Sequence, residues 1–411
     1  MNSVTGELYH VAEVADICGV SKETIRRWDK SGKLNALRED DSGYRYYGRD
    51  QLVHLDEAKL FFGDDEQSTS QVIANRDYSL IELFAGAGGL AIGLERCGFK
   101  SVMLNEIDKK ACETLRHNRP KWNVVEGSIS DVKFGDFKNK VDLVTGGFPC
   151  QAFSYAGKKL GFEDTRGTMF FEYARCLKEV RPKVFMAENV RGLLNHDDGK
   201  TLKTMISILD ELGYRVFEPK VVKAIHHKVP QKRERLIVVG VRKDLSYYGD
   251  FEWPIPTGRI YTVADALKKG DLFSKDVADS EGQVYPERKR EIMKLVPPGG
   301  YWRDLPEDIQ KEYMLKSYYL GGGKTGMARR MSWNEPSLTL TTSPAQKQTE
   351  RCHPDETRPF TTSEYARIQT FPDDWEFQGS QTSIYRQIGN AVPVNLAEQL
   401  GMSLMRLLNK V

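Results

Sequence analysis

One run of residues restricts the fold more than any other. Leu80-Ile81-Glu82-Leu83-Phe84 has the pattern of a buried strand, and Ala85-Gly86-Ala87-Gly88-Gly89 turns it into a helix carrying Leu90, Ile92 and Leu94. A strand that passes through glycines into a helix is the opening unit of an open α/β sheet, where missing side chains let the backbone approach a ligand. About 20 residues on, Asn105-Glu106-Ile107-Asp108 ends a second strand, so Glu106 is placed to accept hydrogen bonds from ribose hydroxyls. Nicotinamide dehydrogenases carry a similar turn. These residues alone leave the choice of cofactor open.

Three further strand ends carry chemistry. The apolar run Val141, Leu143, Val144 leads into Gly146-Gly147-Phe148-Pro149-Cys150-Gln151-Ala152-Phe153-Ser154, which presents Cys150 at the carboxyl edge of the sheet. A cysteine there is either a small core hydrophobe or a nucleophile. Val184-Phe185-Met186-Ala187 ends in Glu188-Asn189-Val190, and a carboxyl at that point can hold a proton or share one with a ring nitrogen. Pro230-Gln231-Lys232-Arg233-Glu234-Arg235 opens the strand Leu236-Ile237-Val238-Val239 with a crowded cationic patch that needs an anionic partner. A thiolate, a carboxylate and an arginine on three strand ends make a specific constellation.

In this order, Phe148-Pro149-Cys150-Gln151, Glu188-Asn189-Val190 and Gln231-Lys232-Arg233-Glu234-Arg235 resemble the cytosine-C5 DNA methyltransferases, and the resemblance runs from about Leu80 to the C-terminus. It implies an α/β fold with a Rossmann-like, S-adenosylmethionine-dependent core, a smaller loop-rich target-recognition domain, and double-stranded DNA as substrate. It implies Cys150 as covalent nucleophile at C6 of a flipped cytosine, Glu188 on N3 and the exocyclic amine, Arg235 holding Glu188 and the base in register, and Arg233 assisting nearby. No metal is required. S-adenosyl-L-methionine is implied to lie against Phe84, Gly86, Gly88, Gly89, Glu106, Ile107, Ser128, Ile129, Pro149, Asn390 and Ala391, with Phe84 and Ile107 near the adenine and Glu106 on the ribose. The family commonly has an acidic residue where this chain has Ser128, so Ser128 or Asp131 becomes the candidate for the adenine amino group. Gln151 through Gly167, with Gly157, Gly161 and Gly167 as hinges and Lys158-Lys159 at its tip, reads as a loop that closes over the flipped nucleotide, Gln151 and Ser154 facing the DNA. Asp164 and Arg166 match the family's loop end and read as an ion pair that fixes it.

Upstream, Val11, Val14, Ala15 and Ile17 recur at helical spacing up to Gly19, and Ser21 caps a second helix through Ile25, Trp28 and Leu34. Asp41-Ser42-Gly43 makes a turn, and Tyr44-Arg45-Tyr46-Tyr47 reads as a strand of a wing. The order resembles the winged helix-turn-helix of the MerR and excisionase type. That resemblance implies Arg26, Arg27 and Arg45 on phosphates or base edges, with Lys22 and Thr24 at the start of the recognition helix. A docking module that holds another part of the enzyme is the alternative. Residues from about Phe62 to Asp77 are polar and read as a linker.

From Trp253-Pro254 onward periodicity breaks up and glycine, proline and aromatics rise. By the logic of the family the target-recognition region lies here, with Lys324, Arg329, Arg330, Lys347 and Arg351 as candidates for phosphate or guanine contacts. Pro297-Pro298 is followed by Gly299 and not by an aromatic, which disfavours an exocyclic-amine methyltransferase. Arg358-Pro359-Phe360-Thr361, Glu364-Tyr365-Ala366-Arg367-Ile368-Gln369 and Phe371-Pro372 match a further family motif, read as architectural. Gln387-Ile388-Gly389-Asn390-Ala391-Val392-Pro393 opens a C-terminal helix with Leu400, Leu404 and Leu407 that the resemblance returns beside the first strand.

A net charge of +2 excludes a uniformly basic nucleic-acid coat, so DNA contacts must come from local patches. The six cysteines show no CxxC pairing, which favours reduced thiols in a cytosol; Cys97, Cys112 and Cys176 read as core. His226-His227, read on a strand, point to opposite faces and do not suit a shared metal. No apolar stretch approaches a membrane span. The expected organisation is a winged helix-turn-helix at 1–60, a linker at 61–77, a catalytic domain at 78–250 completed by 376–411, and a recognition domain at 251–375. The expected activity is that of a cytoplasmic DNA (cytosine-5)-methyltransferase of bacterial restriction-modification or orphan type. Its promoter DNA and a separately acting endonuclease are the further expected partners. A tRNA cytosine-5 methyltransferase and a transcriptional regulator are the rivals.

Overall fold

The computed structural model describes residues 7–38, 44–59, 61–62, 72–149 and 168–411. The turn at Asp41-Ser42-Gly43, the centre of the linker, Cys150 and the segment 151–167 lie outside the described residues.

The N-terminal unit begins with β1 (Leu8–His10) and the helices α1 (Val11–Cys18) and α2 (Lys22–Ser31). His10 and Glu13 form a capping box on α1, Gly19 ends it in the left-handed region at φ 67°, and Ser21 caps α2 by accepting from the Thr24 N–H. Gly32 at φ 76° ends α2 at Ser31, so Leu34 enters the core from beyond the helix and not from its last turn. Strands β2 (Leu37–Arg38) and β3 (Arg45–Gly48) complete an antiparallel sheet in the order β1-β3-β2, followed by the short α3 (Arg49–Leu52). Val14, Ile17, Ile25, Leu34, Tyr47 and Leu52 form its core, against which Ile260 also packs.

The central sheet and its flanking helices are β4 (Ser79–Leu83), α4 (Gly89–Arg96), β5 (Lys100–Glu106), α5 (Lys109–Asn118), β6 (Val124–Glu126), β7 (Leu143–Gly146), α6 (Met169–Val180), β8 (Val184–Val190), α7 (Lys200–Glu211), β9 (Tyr214–Val216), β10 (Lys220–Lys223) and β12 (Glu234–Arg242), while β11 (Gln231–Lys232), just before β12, belongs to a separate two-stranded pair. Strands β6-β5-β4-β7-β8 run parallel, and β12 then pairs antiparallel with β8, β9 and β10. Parallel strands are buried on both faces, which is why they read as apolar runs. β4 has β5 on one side and β7 on the other, so the sheet reverses its winding there, and the crevice at the carboxyl ends of β4 and β7 is where such sheets bind ligands. His226 belongs to a 3₁₀ turn, Ala224–His226, and not to a strand; burial pushes His226 down to about 4 and His227 to about 3. Among the described residues no helix is long and apolar enough to cross a membrane.

Beyond the sheet the chain is loop-rich, with α8 (Val263–Leu267), α9 (Glu287–Lys294), α10 (Glu307–Met314), β13 (Ser337–Leu338) and α11 (Thr362–Ile368). Trp302, Tyr313, Met293 and Met327 centre one cluster, and Phe360, Tyr365, Leu340 and Ile388 another. The last helices, α12 (Gln381–Asn390) and α13 (Val394–Leu408), return to the sheet. Leu396, Leu400, Leu404 and Leu407 of α13 share a core with Leu80, Leu90 and Leu94.

The two helices approach closely because α4 carries glycine at the contact. A Cβ built on Gly93 would stand 2.4 Å from the Ala397 Cβ and 2.6 Å from the Val394 carbonyl oxygen. Gly93→Val should therefore force α13 away and lower unfolding stability by about 1–3 kcal/mol, read as a lower denaturant midpoint with unchanged slope.

Candidate active site

Strand β7 ends at Gly146, and the next two residues are closely packed. Gly147 faces Glu188 so closely that a Cβ would lie 2.9 Å from Oε2. Phe148 is buried against Phe170 and Tyr173, with ring centroids at 5.6 Å and 5.4 Å, and its carbonyl accepts from Asn189 Nδ2 at 2.9 Å. The chain is thus fixed as far as Phe148, and Pro149 borders the cleft; Cys150, with Gln151 and Ser154, lies outside the described residues.

Glu188 stands on β8 opposite Ile237 of β12, and Arg235 stands opposite Val190. The two are therefore diagonal neighbours on one face of an antiparallel pair, within reach for long side chains. Arg235 Nε meets Glu188 Oε1 at 2.6 Å, with both side chains close to nine-tenths buried. A charge-assisted contact of this length holds the carboxylate in one orientation.

Arg233 sits deeper, 1% exposed, and donates to the carbonyls of Gly389 at 3.0 Å, Leu340 at 3.3 Å and Asn390 at 3.4 Å. Burial first, and then Arg235, push it down to about 9. Gln231 continues the stitching: its Oε1 accepts from the Leu340 N–H and its Nε2 donates to Gln369 Oε1, both at 2.9 Å. Gln369 in turn donates to the Ile388 carbonyl at 2.7 Å. Arg233 thus braces the turn before α13 while lining the cleft.

On the other wall, Glu106 accepts from the Gly86 N–H and the Asp108 N–H, both at 2.7 Å, which ties the glycine turn to the end of β5 and leaves lone pairs for hydroxyl donors. Phe84 is held at φ 58°, an uncommon conformation for a non-glycine residue, at the mouth of β4. Ile107 is 71% exposed at the rim. Beneath them lies Glu82, 2% exposed, with Oε2 unpartnered; burial and then the Glu106 charge hold its carboxyl well above the ordinary value.

One cleft of about 680 Å³ collects Phe84, Gly86, Gly89, Glu106, Ile107 and Pro149 with Glu188, Arg233, Arg235, Asn390 and Ala391. Three expected cofactor contacts lie outside this lining. Gly88 turns toward Leu115 and Trp375, Ser128 caps the turn at Ser130, and Ile129 is buried in the core. The cleft also includes Glu82, Thr339–Thr342 and Arg386, which were not anticipated. A carboxylate inside an apolar strand was the available signal for Glu82; nothing in the pattern marked Arg386.

The expected DNA contacts divide sharply. Arg26 and Arg27 are exposed on α2, Arg26 lying 3.4 Å from Glu23. Arg45 is tied to Asp29 at 3.0 Å. Lys324 caps the carbonyls of Ser317 and Leu320, and Arg329 pairs with Glu335 at 3.4 Å. Arg330 requires correction: it is buried, and its guanidinium donates to the carbonyls of Met293, Val296, His353, Pro354 and Glu356 and to the Thr357 hydroxyl. Its charge is spent on loop backbone and is not offered to DNA. Arg351 is buried in the same way, donating to the carbonyls of Glu350 and Thr339.

Residues 78–406 match the C-5 cytosine-specific DNA methylase family, and residues 10–47 match the MerR family regulatory proteins. The Type II methyltransferase M.Eco47II of Escherichia coli is 64% identical over 405 residues, covering 98% of this chain and 97% of the relative. M.PspPI of Psychrobacter sp. (strain TA137), also a Type II methyltransferase, is 60% identical over 401 residues, covering 98% and 96%. Among solved structures, an E. coli prophage-encoded chain described as a DNA modification methyltransferase superposes with a TM-score of 0.62 at 23% identity, covering 81% of this chain and 100% of that one. This last likeness concerns the fold.

Two outcomes test the geometry. A carboxyl raised in the folded state contributes stability below its ordinary value of 4.5 and loses it as pH climbs toward the raised value. Glu82→Gln should therefore leave the cofactor-free protein little changed near pH 4.5 and increasingly more stable than the native chain at higher pH, by at most about 1.4 kcal/mol per pH unit in denaturant melts. Arg330→Met should lower stability by about 3–5 kcal/mol in denaturant melts, because several buried carbonyls lose their donor.

Proposed function

This chain belongs to the C-5 cytosine-specific DNA methylase family and methylates DNA cytosine at carbon 5 with S-adenosyl-L-methionine as its cofactor, and from that premise we propose that it acts on a cytosine flipped out of a specific duplex sequence through a covalent bond to Cys150. The observation that carries this reading is the 2.6 Å pair between Arg235 and Glu188 in the cleft that Phe148 and Pro149 border.

Carbon 5 of cytosine is too weak a nucleophile to attack a methyl group unaided. Addition of the Cys150 thiolate at C6 forms a C–S bond and moves the C5=C6 electron pair into the ring, so that C5 becomes the nucleophilic end of an enamine. Glu188 hydrogen-bonds N3 and the exocyclic amine, where charge develops as sulfur adds, and Arg235 keeps that carboxyl turned toward the ring. S-adenosyl-L-methionine, when bound, supplies the electrophilic methyl group. Loss of the C5 proton restores the double bond and expels the Cys150 thiolate. Glu106 orients the ribose, Phe84 and Ile107 border the adenine, and Arg233 fixes the wall that carries Asn390 and Ala391.

The target carbon is inaccessible inside a stacked duplex, so the base must leave the stack, and the segment 151–167 is assigned to closing over it. The exposed Arg26 and Arg27 support DNA binding by the N-terminal unit, as an additional contact or at the chain's own promoter. A cytoplasmic location and a cognate endonuclease acting as a separate protein complete the reading.

Labelled methyl transfer to duplex DNA, with base-resolution mapping, tests it. Cys150→Ala should bind cofactor and transfer nothing, and Glu188→Gln and Arg235→Ala should each lower kcat by about 10²–10³. With S-adenosyl-L-methionine present, a duplex carrying 5-fluorocytosine at the target position, where methylated C5 has no proton to lose, should leave a DNA adduct on the native chain that survives denaturation. Methylation by Cys150→Ala would overturn the mechanism.

A further inference from the structure

Two very short strands connect the catalytic sheet to the loop-rich region. β11 and β13 pair in parallel, Gln231 with Ser337 and Lys232 with Leu338, and the Ser337 N–H donates to the Pro230 carbonyl at 2.9 Å. Directly after them come Arg233 on one strand and Thr339 and Leu340 on the other, all lining the cleft. The relative position of these two strands therefore sets how the loop-rich region faces the reaction site.

The helix-turn-helix touches β11 and the approach to β13. Asp16 of α1 reaches Lys232 of β11 at 2.9 Å, with the two side chains 14% and 26% exposed, and the Asp16 carbonyl contacts His226 Nε2 at 3.1 Å. Lys22, the first residue of α2, reaches Glu335, two residues before β13, at 3.2 Å. Glu335 is also held by Arg329 at 3.4 Å. One small domain thus presents an anion to the cation of one strand and a cation to the anion beside the other. The signs are complementary at both points, and Ile260 seals the contact by packing on the N-terminal core.

We propose that the helix-turn-helix is an intramolecular staple across the β11–β13 pair, with Asp16 and Lys22 as positioning residues that set how tightly the cleft takes duplex DNA. The contacts of the staple fall on Lys232 and Glu335, and not on Glu188, Arg235 or Glu106. It also places the first residue of α2, where a reading helix meets base edges, against a carboxylate of the same chain.

Charge reversal in the full chain tests this, with labelled methyl transfer to unmethylated phage λ DNA as the assay. D16K and K232D should each raise KM for DNA by about fivefold or more with kcat changed less than about twofold, the pattern of lost binding with unaltered chemistry. The D16K/K232D double variant should return KM to near the native value, and K22E, made on a half-exposed side chain, should raise KM in a way that the K22E/E335K double variant reverses, which loss of a direct DNA contact by Lys22 would not allow. S-adenosyl-L-methionine affinity should stay native throughout. Native KM in the single variants, a double variant no better than the worse single, a loss confined to kcat, or a parallel loss of cofactor binding would each overturn the staple.

Discussion

The antiparallel register between β12 and β8 governs what this molecule can do. It sets Arg235 diagonally across from Glu188, so that a cation and a carboxylate meet at a strand end with little freedom to turn elsewhere. From the same few residues the chain sends Arg233 and Gln231 in the other direction, beneath the turn at Gly389 and Asn390 and against Leu340. One strand entrance thus anchors three walls of a cleft whose floor is the switch between β4 and β7. A slip of one residue would reverse every side chain on β12 and dissolve the arrangement.

The loop-rich region follows a different physical rule. Backbone carbonyls in a sheet find partners in the neighbouring strand; between residues 251 and 375 ladders are scarce, and donors have to come from elsewhere. Arginine supplies them. Arg330, Arg351 and Arg367 are all buried, and Arg367 donates to the carbonyls of Lys275 and Asp276 while pairing with Asp373. Each guanidinium gathers several stretches of chain, which is how a region with few strands keeps a defined shape.

That rule also explains what could be read beforehand. Buried parallel strands and the glycine turn announce themselves through apolar runs and punctuation, so β4, β5, β7, β8 and β12 were legible, as were Glu106, Glu188 and Arg235 at their ends. A buried arginine in a loop carries no such mark: Arg330 has the same letters around it as a DNA-contacting residue would, and only its carbonyl partners distinguish the two. Gly88 and Ile129 fall outside the cleft lining for a related reason. A motif identifies a turn, and the direction each residue faces within it depends on packing from Trp375, Leu115 and the core.

The return of α12 and α13 has a consequence for how the protein comes into being. Gly389, Asn390 and Ala391 line the cleft opposite residues near position 85, and α13 covers α4 through Leu396, Leu400 and Leu404. A ribosome therefore releases the glycine turn roughly three hundred residues before the wall that faces it, at a pace of about 5–20 residues per second. For that interval of some tens of seconds the growing chain carries half a cofactor site with its apolar side uncovered. That side of the cleft is closed only once α12 and α13 have packed back onto α4 and the sheet.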